Sequence, residues 1–112
     1  METLTYFKNV HVTPKKLRLV RSCICKFSPS VAVSSLLSMK GKKSARVLAG
    51  IIKSAIDNAV NLSQVEETAL KFHTLIVEEG QKLKRFEAGS RGTPKPFIRR
   101  YSHVKIIIST VD

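Results

Sequence analysis

The strongest chemical signal in the sequence is a run of cationic side chains between residues 80 and 103, GQKLKRFEAGSRGTPKPFIRRYSH. Its one acid is Glu87, and its basic residues are Lys82, Lys84, Arg85, Arg91, Lys95, Arg99 and Arg100. A charge run is usually only a solvated surface. Here, however, so many like charges on one narrow segment oppose ordering unless phosphate groups neutralise them. The segment is therefore predicted to bind a polyanion.

Aromatic rings accompany these charges. Tyr6, Phe86, Phe97 and Tyr101 offer flat surfaces on which bases can stack, and such rings commonly accompany basic residues in RNA sites. Phe86 and Tyr101 are equally compatible with packing against the root of the segment. The combination of rings and charges favours RNA as the polyanion.

The first half of the chain carries a second set of positive charges. From residue 1 to residue 56 the only acid is Glu2. The basic residues predicted to face solvent and bind RNA there are Lys15, Lys16, Arg18, Arg21, Lys40, Lys42, Lys43 and Arg46. The net charge of +12 attracts nucleic acid or an anionic membrane surface, and composition alone does not choose between them.

The sequence offers no pattern that predicts catalysis or metal binding. Its carboxylates fall in no motif with a histidine or a nucleophile, and Ser102 and His103, as neighbours on a strand, point to opposite faces. Cys23 and Cys25 lack the paired spacing of a structural zinc site, and we interpret Cys23 as a small apolar filler. We therefore predict a protein that is not an enzyme and that uses no cofactor or metal.

A hairpin must position the main cationic segment. Its two polar arms flank a centre rich in Gly, Pro and Ser at residues 88–96, which is typical of a chain reversal. Neither arm shows strict apolar alternation, so the hairpin has no core of its own. An arm of about eleven residues reaches ~35 Å, whereas a compact chain of this length has a radius of gyration of ~13 Å. The tip is predicted to project well beyond the body.

Three helices are predicted before the hairpin. The first covers residues 14 to about 26 and the second runs from 29 to a point before Gly41, and each begins with a Ser/Thr-Pro pair, which is a helix-start signal. The third ends near residue 61 and is the longest, because apolar residues recur along it at spacings of three and four. These apolar stripes are expected to form the core.

Strands are predicted on either side of the helices. Residues 4–12 and 69–79 are rich in β-branched and aromatic residues. Residues 104–111, VKIIISTV, are apolar on both faces in their middle and are expected at the centre of a sheet. The predicted fold is α+β, with a small antiparallel sheet of about three strands packed against three helices and the hairpin extending from them.

The predicted domain organisation is simple. A chain of 112 residues is expected to form a single domain, 1–112. Within it, we predict a body of residues 1–79 and 104–112 and an extended basic hairpin of residues 80–103 whose tip is 88–96. The body would carry the core and the hairpin would carry the main RNA-binding charges.

The sequence also predicts an intracellular location. The chain start, METLTYFKNV, lacks the basic-then-apolar layout of a secretion signal, and no apolar run approaches the ~20 residues of a spanning helix. Two cysteines separated by one residue do not make a disulfide framework. A soluble protein in a reducing compartment is expected.

Three long segments, VTPKKLRLV, SARVLAGIIKSAIDNA and VEEGQKLKRFEAGSRGTPKPFIRRYSHVKIII, carry motifs that are specific in combination. These are a Thr-Pro-x-Lys helix start, an Ala-x-x-Asn-Ala end to the long helix, a Leu-Lys-Arg lead-in to the hairpin, an Arg-Gly at the tip and a Ser-His close. In this order they resemble the ribosomal protein L22 (uL22) family of bacterial and organellar large subunits. The resemblance covers nearly the whole chain.

The resemblance implies a body on the outer face of the large ribosomal subunit, with the hairpin running inward through ribosomal RNA (rRNA) and its tip in the wall of the peptide exit tunnel. The implied partners are large-subunit rRNA, neighbouring ribosomal proteins and the nascent peptide, with no membrane. The implied location is a ribosome in the cytoplasm or in an organelle. Ser102 and His103 join the predicted rRNA contacts, and the implied tunnel-facing residues are Gly89, Ser90, Arg91, Gly92 and Thr93. Family tips are typically richer in arginine than this one.

Two other functions compete with a structural role in the ribosome. One is a free-standing RNA chaperone or RNA-binding regulator, and the other is a protein that binds a membrane surface. A membrane binder should place its basic residues opposite an exposed apolar face, whereas the apolar stripes here are needed for the core. The long polar hairpin favours a structural protein that binds rRNA and aids assembly of the large subunit.

Overall fold

The computed structural model describes residues 2–39 and 41–110. Along the chain, the main elements are strand β1 (Glu2–Val10), helices α1 (Pro14–Ile24), α2 (Pro29–Leu37) and α3 (Lys43–Ser63), and strands β2 (Leu70–Ala88) and β3 (Pro94–Thr110). Short 3-10 turns precede β2 and join β2 to β3. The predicted order of elements is confirmed, and β1 lies slightly earlier in the sequence than the predicted 4–12.

The strands form one antiparallel sheet in the order β1-β3-β2. β3 is the central strand, as its apolar sequence predicted. It pairs with β1 as far as Val10 opposite Ser102, and with β2 along the whole length of both strands, from Leu70 opposite Thr110 to Ala88 opposite Pro94. The fold is therefore α+β with a long β2-β3 hairpin.

The helices cover one face of the sheet within the body. Val104, Ile106 and Ile108 are buried on that face, whereas the alternating residues Lys105 and Ile107 are only half-buried. The helices contribute buried side chains at spacings of three and four, namely Leu17, Val20 and Ile24 from α1 and Ala45, Leu48, Ile52, Ala55, Ile56 and Ala59 from α3. The apolar stripes that the sequence showed therefore form the core, together with α2 and the sheet.

The hairpin leaves the body beyond the end of β1. From Lys82 opposite Arg100 to Ala88 opposite Pro94, only β2 and β3 pair with each other. The molecule measures 64 × 25 × 18 Å with a radius of gyration of 16.9 Å, well above the ~13 Å of a compact chain of this length. This confirms the extended hairpin.

A tight turn closes the hairpin between Gly89 and Thr93. The Gly89 N–H donates to the Thr93 carbonyl at 2.8 Å. Arg91 and Gly92 both have positive φ values, of 59° and 74°. The turn falls within the predicted tip, and Gly92 suits a conformation that side chains with a Cβ disfavour.

Two β-bulges flank β3 where the hairpin leaves the body. On one side, Gly80 and Gln81 of β2 together oppose Tyr101. On the other side, the pairing of β1 shifts between Phe7 and Val10, where Asn9 has a φ of 57° and donates its N–H to His103 Nδ1 at 3.1 Å. Because bulges bend strands and increase their twist, this pair sets the direction in which the ribbon extends.

We expect Gly80→Ala to destabilise the protein. A Cβ at this position would lie 2.9 Å from the Tyr101 carbonyl oxygen, which belongs to the backbone and has no rotamer that avoids the contact. The predicted loss in the free energy of unfolding is about 1–3 kcal/mol, measured by urea unfolding. Gly50→Ala is the control, since Gly50 lies in α3 and a Cβ added there would meet nothing within 4 Å, and it should gain about 0.5–1 kcal/mol. Equal gains from both variants would contradict the tight bulge.

One prediction about the body is wrong. Cys23 was expected to fill a gap in the core, but both Cys23 and Cys25 are exposed. The thiol of Cys23 lies 3.6 Å from the Leu19 carbonyl of the same helix. The reason is the phase of α1, because its buried stripe of Leu17, Val20 and Ile24 leaves the neighbouring position 23 outside.

Candidate nucleic-acid interface

The ribbon carries positive charge on both of its faces. Directly opposed residues of an antiparallel pair project to the same side, and successive pairs alternate between sides. One face holds the pairs Lys82 with Arg100, Lys84 with Ile98, and Phe86 with Pro96. The other holds Leu83 with Arg99, Arg85 with Phe97, and Glu87 with Lys95. A ribbon charged in this way is suited to contact phosphates on two sides at once.

Phe86 does not pack on the root of the hairpin. Its side chain is 72% exposed on the outer part of the ribbon. Tyr101, in contrast, is half-buried at the root, where its ring meets the His11 ring edge-on at a centroid distance of 4.8 Å. Phe86 therefore lies clear of the root, whereas Tyr101 packs at the root and keeps part of its surface exposed.

A basic groove lies at the root of the hairpin. It has a volume of about 710 Å³ and is bounded by the turn before α1, the beginning of α3 and residues 97–101 of β3. The cationic residues that line it are Lys16, Lys42, Lys43, Arg99 and Arg100. We call this space the root groove. The fold thus brings residues from both of the predicted basic clusters to one place.

A smaller groove of about 390 Å³ lies beside the beginning of α1. It is lined by Lys15, Arg18, Lys82 and Arg100 but also by Glu79. The Glu79 carboxylate lies 3.6 Å from the Lys82 ammonium, so part of the positive charge is neutralised within the protein. This groove is the weaker candidate for an anion.

Two of the predicted RNA-binding residues turn towards the sheet. Arg18 donates from Nε and Nη2 to the Val77 carbonyl at 3.2 and 3.1 Å, and Arg21 donates from Nε to the Leu75 carbonyl. Both carbonyls lie on the outer edge of β2, which has no strand beside it in the described sheet. The arginines therefore cover an edge that is otherwise open to pairing with another chain. This is a structural role that the sequence analysis did not foresee.

The remaining residues predicted to contact RNA differ in how far they are exposed. Ser102 is 0% exposed and donates its hydroxyl hydrogen to the Val12 carbonyl, so we correct the prediction that it contacts RNA. His103 is half-buried and accepts the Asn9 N–H. Arg46 is exposed on α3, and Lys40 lies outside the described residues.

The tip residues form the far end of the molecule. Ser90, Arg91, Gly92 and Thr93 are exposed, and Gly89 is half-buried against the returning strand. Arg91 is the one cation of the turn itself. The tip therefore presents backbone groups and small side chains together with a single positive charge.

The sequence analysis missed His11, Thr13 and Ser44 as residues that line the root groove. Thr13 and Ser44 lie within two residues of lysines, and this proximity was the only available signal, whereas His11 lies four residues before Lys15 and gave none. Phe97 and Ile98 also line the groove, although they are distant from residues 11–16 along the chain. Only the folded chain shows that these groups share one surface.

The described residues give no sign of a metal centre or a membrane span. They contain no group of three or more His, Cys, Asp or Glu side chains that could hold a metal ion. No helix among them is long and apolar enough to cross a membrane. On the open face of the sheet, partial desolvation and the 3.0 Å hydrogen bond to the Glu78 carboxylate raise the pKa of the Tyr6 phenol above its ordinary value.

Comparison with known proteins gives one consistent result. Residues 5–109 match the family model described as ribosomal protein L22p/L17e. The large ribosomal subunit protein uL22 of Mesoplasma florum is 35% identical over 109 residues, which cover 97% of this chain and 96% of that protein. The match spans the body and the whole hairpin, so it includes every residue that lines the root groove. The chain therefore belongs to the L22p/L17e family of ribosomal proteins.

Proposed function

We propose that this protein is a structural, non-catalytic component of the large ribosomal subunit that binds its rRNA and aids its assembly. The observation that carries the proposal is the ribbon, which has cationic side chains on both faces and little core of its own. An isolated two-stranded ribbon is at best marginally stable in water. Phosphates on both sides would neutralise its charge and hold it in its extended form.

The proposal assigns different tasks to the parts of the molecule. The root groove and the lysines at the beginnings of α1 and α3 dock the body onto rRNA. The ribbon passes inward between RNA segments, and its tip, Gly89 to Thr93, lies in the wall of the exit tunnel near the nascent peptide. Neighbouring ribosomal proteins contact the body. The relative's name and the resemblance of the hairpin motifs support this arrangement, which places the protein in a ribosome in the cytoplasm.

A free-standing RNA chaperone or regulator remains the second candidate, because the same charges would bind other RNAs. Sedimentation of a cell lysate through a sucrose gradient separates the two functions. A ribosomal component should co-sediment with large subunits at moderate salt. Absence from those fractions would contradict the proposal and favour the chaperone.

Shortening the tip should change the tunnel but not the assembly of the subunit. Glu87 lies opposite Lys95, so replacing residues 88–94 with Asn-Gly, which favours a two-residue hairpin turn, would close the ribbon in register. The body and both arms remain, and we expect incorporation into large subunits within about twofold of the unmodified level, because the many remaining phosphate contacts keep the site saturated when one basic residue, Arg91, is lost. Chemical footprinting of tunnel-wall nucleotides should show altered reactivity near the missing tip.

Two outcomes would oppose this prediction. Loss of incorporation would show that the tip anchors the protein during assembly. Normal incorporation with unchanged footprints would place the tip outside the tunnel. The thermal unfolding midpoint of the purified variant serves as the control, because the tip packs against nothing in the body and its removal should leave the midpoint unchanged.

A further inference from the structure

The root groove combines positive charge with an aromatic wall, and this combination points to a more specific ligand than a phosphate alone. We propose that the root groove holds one unpaired nucleotide of the bound RNA, with its phosphate at the beginning of α3 and its base against Tyr101. The inference rests on the proposed function, since it requires that the protein binds RNA. It goes further by naming the nucleotide conformation that the protein selects.

Charge makes the groove an anion site. Five cationic residues from three separate elements line it, and the described residues of its wall include neither Asp nor Glu. The neighbouring smaller groove shares Thr13, Arg100 and Tyr101 with it but contains Glu79. Cations that no carboxylate neutralises within the protein are left to bind phosphate.

The beginning of α3 adds backbone donors to these charges. Lys42 occupies the N-cap position with extended backbone angles, and its side chain has no acceptor for the first helical N–H groups. The first helical hydrogen bond runs from the Arg46 N–H to the Lys42 carbonyl at 3.3 Å. The amides that precede Arg46 in α3 therefore point out of the helix end, where the helix dipole favours an anion. Lys42, Lys43 and Ser44 all line the groove at this end.

The opposite wall of the groove is suited to a base. The Tyr101 ring meets the His11 ring edge-on at 85°, and Phe97, which alternation along β3 places on the same face as Tyr101, adds apolar surface beside it. Aromatic rings bind bases by stacking, and this requires a base whose face is not covered by a neighbour in a duplex. The volume of about 710 Å³ lies within the ~300–1,000 Å³ of pockets that hold small ligands. An unpaired nucleotide fits both walls, whereas a duplex would reach only the cations.

Tyrosine fluorescence gives a direct test of stacking. The chain has two tyrosines and no tryptophan, so Tyr6→Phe leaves Tyr101 as the only strong emitter. Two probes of equal phosphate number are added in turn, a short unstructured single-stranded RNA and a fully paired RNA duplex. We expect the single strand to shorten the Tyr101 fluorescence lifetime at saturation and the duplex to leave it unchanged. An unchanged lifetime with the single strand bound would overturn the proposal.

Affinities of variants test the two walls separately. Tyr101→Leu should weaken binding of the single strand at least about fivefold and that of the duplex less than about twofold, while Tyr101→Phe should bind both as before. Lys42→Gln with Lys43→Gln should flatten the slope of log affinity against log salt by about 1.4 for the single strand. The matched control is Lys26→Gln with Lys53→Gln, which removes the same charge from exposed positions outside the groove.

Each contrary result has a defined meaning. Equal slopes for the two lysine pairs, or equal losses of single strand and duplex with Tyr101→Leu, would overturn the nucleotide site and leave RNA binding by the ribbon intact. The proposed function fails separately, if the unmodified protein shows no salt-dependent affinity for RNA and does not co-sediment with large subunits. If Tyr101→Leu does not fold, the lifetime of the native Tyr101 still decides the question.

Discussion

Ile52→Asp is expected to unfold the body of the protein. Ile52 is 0% exposed at the middle of α3, where it packs in the core between the helices and the sheet. The substitution removes a buried apolar side chain and places a carboxylate where the core offers it no partner, so the group must either be buried with a charge or take up a proton. The expected loss exceeds about 4 kcal/mol, which is a large part of the ~5–15 kcal/mol by which a domain is stable.

Lys53→Asp is the matched control for this variant. Lys53 is the next residue of the same helix and is exposed. The aspartate at position 53 is therefore solvated, whereas the aspartate at position 52 would lie in the core. We expect a change within about 0.5 kcal/mol. Circular dichroism during thermal unfolding measures both variants. Comparable losses from the two would show that burial of this face of α3 does not hold the body together.

The fold could be predicted from the sequence because each element follows from a local pattern. The Ser/Thr-Pro pairs start α1 and α2, the apolar spacing along α3 gives its buried face, and the run VKIIIST identifies the central strand. These signals depend on neighbours a few residues apart. They can therefore be recognised in the sequence without any knowledge of tertiary contacts.

The placement of individual site residues depends on partners that are distant in sequence. Arg18 and Arg21 were predicted to face solvent because they lie outside the apolar stripe of α1. Their donors instead reach carbonyls of β2 that are 59 and 54 positions away along the chain. No periodicity in α1 indicates that a strand edge will lie beside it. The same holds for Ser102, whose partner Val12 is 90 positions away.

The two bulges had a signal in the sequence, but that signal was not specific enough to predict them. A glycine within a strand pattern suggests a β-bulge or a close approach of another backbone. Gly80 shows both features, because it lies in the bulge opposite Tyr101 and a Cβ there would lie 2.9 Å from the Tyr101 carbonyl oxygen. The bulge in β1 carries Asn9, a residue type that tolerates positive φ. Neither residue alone reveals the register of its partner strand. The direction of the ribbon, and with it the shape of the root groove, therefore required the folded chain.

Reversing the charge of the ribbon should abolish most of its contribution to RNA binding. We consider the variant in which Lys84, Arg85, Arg99 and Arg100 are each replaced by Glu. These residues include cations from both faces of the ribbon, and all are exposed. Each phosphate contact contributes a slope of about 0.7–0.9 in log affinity against log salt, which amounts to a factor of about five to eight at ~0.1 M salt relative to ~1 M. Loss of four contacts is thus expected to weaken binding about a thousandfold and to flatten the slope by about 3.

The control must lose the same charge from a surface that the proposal does not use. Lys8, Lys26, Lys53 and Lys71 are exposed on the body, and replacing each by Glu gives the same net charge as the ribbon variant. Long-range repulsion lowers the affinity of both proteins for a large-subunit rRNA fragment, but only the ribbon variant loses direct contacts. Its slope should therefore be flatter than that of the control by about 3. Identical slopes would mean that the net charge of the protein, rather than phosphate contacts along the hairpin, governs its binding to RNA.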